Sequence, residues 1–205
     1  MNIANAISID GPAASGKTAV GSELARRLGF QFLDTGGMYR AVTLLALEAG
    51  IDVRDDAALT ELSRRSRIDP VGGPSGDRLM VDGRDITDEL RARKVDLSVS
   101  HVSTAKGVRI ALVEQQRKLA EQGPIVMVGR DIGTVVLPDA SLKLFVVASV
   151  PERSRRRHQE MAAKGSAIEY QQVLDDLEAR DRLDEGRSES PLKAADDAVV
   201  LNTDG

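Results

Sequence analysis

The segment that most restricts this chain is GPAASGKT, residues 11–18, set between a short apolar run and a helical pattern. It matches G-x-x-x-x-G-K-[ST]. A triphosphate carries dense negative charge, and glycine lets backbone N–H groups approach it with no side chain in the way. The helix that follows adds the positive end of its dipole. Gly11, Pro12, Ala13, Ala14, Ser15 and Gly16 therefore read as a phosphate cradle. Lys17 reads as the cation for the β- and γ-phosphates, and Thr18 as the hydroxyl for Mg²⁺. A glycine-rich turn with an incidental lysine is the plain alternative, and the flanking patterns argue against it. Alone, the loop does not separate a switch protein, a motor and a kinase.

The rest of the chain alternates. The run 3–9 predicts a buried parallel strand. Residues 17–28 predict a helix with Val20, Leu24 and Leu28 on one face and Gly29 as its stop. A strand over 30–35, a helix over 38–49 ended by Gly50, and a short helix over 55–65 with Leu59 and Leu62 on one side follow. Between 66 and 90 the alternation breaks. That stretch has three Pro/Gly-rich turn signals, and Asp82-Gly83 between two short strand-like runs predicts a hairpin. A long helix over 106–122, with Val108, Leu112, Gln115 and Leu119 facing one way, stops at Gly123-Pro124. Strands over 125–128 and 142–148 come next, then a helix with Pro151 in its first turn and Ser149 as N-cap. A helix over 168–182 and a strand over 197–203 end the series. The pattern predicts an α/β fold, a five-stranded parallel sheet flanked by helices, with a core of 1–65 and 102–205 and a small lobe inserted at 66–101.

Composition removes competing classes. With 205 residues and 41% hydrophobic, the chain suits one domain carrying an insert. It has no cysteine, which excludes disulfides, thiol nucleophiles and cysteine metal sites and fits a reducing compartment. Two histidines, His101 and His158, exclude a His-rich metal site. No run of 18 apolar residues is present, and the segment MNIANAISID lacks a basic region, so neither a membrane span nor a signal peptide is expected. A net charge of −4 and scarce aromatics argue against nucleic-acid binding. Of 28 basic residues 21 are Arg, the side chain suited to bidentate phosphate contacts. Genome bias would explain the number equally well, so position must decide.

Two further clusters follow strands, where ligands bind in open parallel sheets. The first is LDTGGMYR, 33–40. It imitates a D-x-x-G switch, but it follows the phosphate loop too closely, and a guanine-reading N-K-x-D is missing. Thr35, Tyr39 and Arg40 are read instead as facing a second substrate. The alternative is that Asp34 or Thr35 caps a helix, Tyr39 packs, and Arg40 is simply exposed. The second cluster is GRDIGTVVLPD, 129–139, where Arg130 in front of Asp131 suggests a further anion site.

In this order, GPAASGKT, LDTGGMYR, SVSHVSTAKGVR, GRDIGTVVLPD and RDRLDEGRSESPLK resemble the bacterial cytidylate kinases over nearly the whole chain. The last three are much more diagnostic than the phosphate loop. The resemblance implies transfer of the ATP γ-phosphoryl group to CMP or dCMP, with Mg²⁺, by a P-loop kinase core. It implies that the inserted lobe binds the monophosphate and that a short lid spans about 150–166. By resemblance Arg40 and Arg130 hold the monophosphate and Tyr39 lines its pocket. Ser100, Arg109 and Asp131 read the cytosine edge; Arg180 and Asp184 contact the sugar; Arg187 approaches the phosphates. Arg153, Arg156 and Arg157 belong to the lid, with Arg156 near the nucleotide donor; Arg155, without a family match, is expected in solvent. Lys17, Arg130, Arg153, Arg157 and Arg187 form the expected catalytic set. The family pattern continues into a further C-terminal helix, whereas this chain ends at Gly205. A cytoplasmic monomer is expected. A kinase for another nucleoside monophosphate, or a P-loop module without a small acceptor, are the alternatives.

The chemistry suits these residues. Cytosine offers an amine donor and carbonyl and ring-nitrogen acceptors, and Asp131 and Arg109 supply one complement to each. Uracil carries a carbonyl in place of the amine and would face a repelling carboxylate. A surface salt bridge between the two is the alternative. Phosphoryl transfer depends on positioning and charge neutralisation, so a chain with two histidines can perform it. His101 is expected to be structural and His158 a solvated lid residue. A mobile basic lid would exclude water.

Overall fold

The computed structural model describes residues 5–71, 78–165, 167–187 and 190–204. The elements run β1 (Ala6–Asp10), α1 (Lys17–Leu28), β2 (Gln31–Asp34), α2 (Thr35–Glu48), α3 (Asp56–Arg65), β3 (Ile68–Val71), β4 (Arg78–Val81) and β5 (Arg84–Asp85). They continue as α4 (Arg93–Val102), α5 (Lys106–Ala120), β6 (Ile125–Gly129), β7 (Leu142–Val147), α6 (Val150–Ala163), α7 (Tyr170–Glu185) and β8 (Val199–Asn202). Five strands form a parallel sheet in the order β2-β6-β1-β7-β8. β3, β4 and β5 form a separate antiparallel sheet.

The central strand β6 is apolar on both faces, as a sheet covered by helices requires, while β1 carries buried Ser8 and Asp10 on the face of Ala6. Ile7, Ile9, Val126 and Val128 face one core with Ala25, Val20 and Leu24 of α1. Ala6, Ile125 and Met127 face the larger core, shared with Met38 and Leu44 of α2, Val95 and Val99 of α4, and Val108 and Leu112 of α5. Pairing Asp10 with Gly129 and Asp34 with Val128 levels the carboxyl ends of β1, β2 and β6. The phosphate loop, the turn at Thr35 and the turn after Gly129 thus leave one edge of the sheet together.

The local signals act as their chemistry dictates. In the β4–β5 turn Asp82 and Gly83 have φ of 50° and 85°, the positive values a type I′ hairpin demands. The Ser149 side chain accepts from Glu152 N, with Pro151 in the first turn of α6. Several expectations need correction. α2 starts at Thr35, not 38, because the Asp34 side chain caps it by accepting from Gly36 N at 3.0 Å. Leu28 is exposed at the end of α1, whose buried face is Gly21 and Ala25. In α5 the fully buried amide belongs to Gln116, while Gln115 donates to Ser63 O and Ser66 O at 3.1 Å. α4 has no counterpart in the predicted elements. Residues 3 and 4 of the first expected strand, and the turn signals within 72–77, lie outside the described residues. Among the described residues no helix is long and apolar enough to cross a membrane.

Candidate active site

The phosphate loop closes the end of β1. A Cβ at Gly11 would stand 2.1 Å from Val146 O, so only glycine fits against β7 there. Lys17 lies buried with its Nζ donating to Pro12 O at 2.8 Å. Burial, and then Arg130, push its pKa well below the ordinary lysine range, while Asp34 opposes the shift. Thr18 Oγ1 donates to Asp34 Oδ2 at 2.9 Å. Asp34 thus joins the loop to α2, a role invisible in the sequence, where it reads only as a helix cap.

A cleft of about 610 Å³ opens beside the loop, with Lys17, Thr18, Asp34, Arg40, Arg130, Arg156, Arg157 and Arg180 in its wall. Carboxylates pair with four of these arginines: Asp96 with Arg40 and Arg157, Glu152 with Arg156, and Asp184 with Arg130. Arg130 Nε donates to Asp184 Oδ2 at 2.9 Å, and Arg187 pairs with the same carboxylate. Burial acts to raise the pKa of Asp184, but Arg130, Arg187 and Arg180 outweigh it and hold the carboxyl below its usual range. Arg180 is half-buried, and among the described residues its buried Nε has no hydrogen-bond partner. Desolvation, with Arg130 next, lowers its pKa to about 10. A half-buried guanidinium with a buried, unpaired donor, among other cations, is arranged to receive an anion.

A hydrogen-bonded chain leads from the cleft to a second polar group. Arg187 Nη2 also donates to Ser103 Oγ at 3.1 Å. Arg109 Nη1 donates to Ser103 O at 3.4 Å, and Arg109 Nη2 pairs with Asp131 Oδ2. The Arg109 guanidinium lies over the Tyr39 ring, 5.7 Å from its centre. Burial pushes the Tyr39 hydroxyl up to about 12, so it stays protonated. Asp10 supports this region from below, accepting from Ile132 N and Gly133 N at 2.8 Å each.

The arginines of α6 hold distinct posts. Arg153 is buried, donating to Ala148 O, to Ala13 O of the phosphate loop and to Asp181 of α7. Arg156 reaches Thr203 and stands 3.6 Å from where a Cβ of Gly16 would lie. Arg157 donates to Asp96 at 3.0 Å and Glu160 at 2.9 Å. Arg155 is exposed beside Glu152 and Gln159. His158 is half-buried, contacting Ile168 O at 3.1 Å and the Tyr170 ring edge-on, rather than solvated. His101 is exposed.

The fold therefore brings together Lys17, Thr18, Arg40, Arg130, Arg156, Arg157 and Arg180 at the cleft, with Asp184, Arg187, Arg109, Asp131 and Tyr39 linked behind it. Thr35 stands apart: it is buried and its hydroxyl donates to Val128 O at 2.9 Å, tying α2 to β6. Ser100 is half-buried on α4, its carbonyl accepting from Ser103 Oγ. Sequence reasoning missed Asp34, Asp96, Asp181 and Thr203, whose partners are distant along the chain.

A glycine loop at the end of a central parallel strand, beside a cleft walled by arginines, defines a P-loop kinase core. The family model described as cytidylate kinase matches residues 7–205. The cytidylate kinase of Mycolicibacterium paratuberculosis is 50% identical over 198 residues, covering 96% of this chain and 87% of its own length. That of Bacillus velezensis is 45% identical over 197 residues, covering 96% of this chain and 88% of its own. This chain belongs to the cytidylate kinase family. Among solved structures, TT1252 from Thermus thermophilus has a TM-score of 0.49 at 19% identity, covering 98% of this chain and 89% of its own.

Proposed function

We propose that this chain transfers the γ-phosphoryl group of ATP to a phosphate oxygen of CMP or dCMP, giving ADP and CDP or dCDP. The observation that carries the reading is the buried Arg109–Asp131 pair, joined through Ser103, Arg187 and Asp184 to Arg130 in the cleft wall. It supports one ligand with a hydrogen-bonding base at one end and a phosphate at the other. Asp131 Oδ2 takes Arg109, which leaves Oδ1 to accept from the cytosine amine. Arg40 and Arg130 hold the acceptor phosphate, Arg180 and Asp184 face the sugar, and Ser100 and Tyr39 complete the pocket. Thr35 supports that pocket through Val128.

Residues 11–18 hold the donor phosphates, with Lys17 and Arg187 neutralising charge as it moves between oxygens. The low pKa of Lys17 reflects a buried cation beside other cations, an environment that anionic phosphates relieve. The inserted lobe around β3, β4 and β5 closes over the acceptor. α6 is the lid, bringing Arg153, Arg156 and Arg157 onto both nucleotides and excluding water.

Mg²⁺ fits the donor set. Thr18 Oγ1 and Asp34 Oδ2 stand 2.9 Å apart at the loop. Among the described residues no group of three or more His, Asp or Glu side chains is placed to enclose a metal. Two oxygen donors beside a phosphate cradle suit an ion that keeps waters and substrate oxygens as its other ligands. Bound there, the ion would neutralise charge between the β- and γ-phosphates. The chain acts as a cytoplasmic monomer in pyrimidine nucleotide metabolism. Coupled detection of ADP with CMP as acceptor tests the reading; ATP binding without transfer to any monophosphate would overturn it.

A further inference from the structure

Asp96 lies in the first turn of α4 and belongs to no recognised motif. Its neighbours Val95 and Val99 are buried in the core shared with α2, so the helix holds the carboxylate in place. Oδ1 accepts from Arg40 Nη1, and Oδ2 accepts from Arg157 Nη2 at 3.0 Å. Arg40 comes from α2 and Arg157 from α6, so one carboxylate joins three helices. The side chains of Asp96, Arg40 and Arg157 are 22%, 11% and 20% exposed. In such partly dry surroundings an ion pair is stronger than at an open surface.

The geometry of Arg40 matters most. Among the described residues both its hydrogen bonds leave from Nη1, one to Leu90 O at 3.1 Å and one to Asp96. Nε and Nη2 have no protein partner there. A guanidinium anchored at one corner presents its other edge as two parallel donors, the arrangement that grips a phosphate. Arg157 is held differently, at both terminal nitrogens, Nη1 donating to Glu160 and Nη2 to Asp96. Resting on the phosphotransfer reading above, we infer that Asp96 is a positioning residue that fixes the Arg40 fork for the acceptor phosphate and ties the lid helix to the acceptor side through Arg157. Asp96 touches no substrate; it acts through two arginines. A rival role, in which Asp96 merely occupies the phosphate position until displaced, predicts the opposite sign.

The test uses the whole chain with Asp96→Asn, which keeps the shape, and Asp96→Glu, which keeps the charge. Two quantities are measured on nucleotide-free protein: calorimetric CMP affinity, and amide hydrogen exchange across residues 150–163. Asp96→Asn should weaken CMP binding by about ten-fold and ATP binding by less than about two-fold. It should also speed exchange in α6 by about five-fold or more, and Asp96→Glu should restore protection to within about two-fold of the parent. Unchanged exchange in α6, or tighter CMP binding by Asp96→Asn, overturns the inference. A parent protein that binds no CMP would instead defeat the functional reading, while exchange in α6 still decides the tie to the lid.

Discussion

Arg109 and Asp131 face each other as a buried ion pair, each side chain 6% exposed, with Tyr39 stacked against the guanidinium. Removing one partner of such a pair strands a charge in a dry site. Asp131→Ala should therefore destabilise the fold by about 3–5 kcal/mol. Asp131→Asn keeps the shape and exchanges an acceptor for a donor. It should lower the preference for CMP over UMP in kcat/KM by about ten-fold or more, with the KM for ATP shifting by less than about two-fold. Equal losses for both nucleotides would remove Asp131 from base reading.

Arg130 links the cleft wall to Asp184. Arg130→Ala should raise the KM for CMP by about ten-fold or more, because a charge-assisted phosphate contact is lost. Steady-state kinetics at saturating ATP measure this, and an unchanged KM and kcat would exclude Arg130 from the acceptor site.

Gly11 has no room for a methyl group, since its Cβ would lie 2.1 Å from Val146 O. Gly11→Ala should displace the loop from β7, lower stability by about 1–3 kcal/mol and abolish measurable ATP binding. Denaturant unfolding and nucleotide titration together check it; parent-like ATP affinity would contradict the close approach.

Asp10 gives a pH signature. Burial pushes its carboxyl up from 3.8 to about 6, against the hydrogen bonds from Gly133 and Ile132. Between those values the folded chain holds a proton that the unfolded chain has released. The resulting stability is complete below about pH 4 and is lost as pH rises through about 6. The stability difference between the parent and Asp10→Asn should therefore shift by on the order of 2–3 kcal/mol across that window. A difference independent of pH would show that Asp10 titrates at its ordinary value.

The parts legible in sequence are those whose signal is local. α1 spans 17–28 as its pattern predicts, because a lysine after glycine and a glycine stop are both one-turn devices. The hairpin at Asp82-Gly83 and the cap at Ser149 are legible for the same reason. The helix α4 also carried a signal, Val95, Val99 and Val102 at helical spacing, which its charged and serine-rich neighbours obscure. Asp96 and Asp181 were not legible: their arginine partners lie 56, 61 and 28 residues away, and only the fold brings them together. Thr35 follows a strand as a substrate-facing residue would, yet its hydroxyl turns to Val128. Nothing in the local sequence distinguishes those two directions.

The most direct measurement is ADP production by this chain with CMP, dCMP, UMP, AMP and GMP offered in turn as acceptors. The account predicts kcat/KM for CMP and dCMP at least about ten-fold above every other acceptor, as a carboxylate reading an amine requires. Equal turnover of UMP, or a preference for a purine monophosphate, would contradict it.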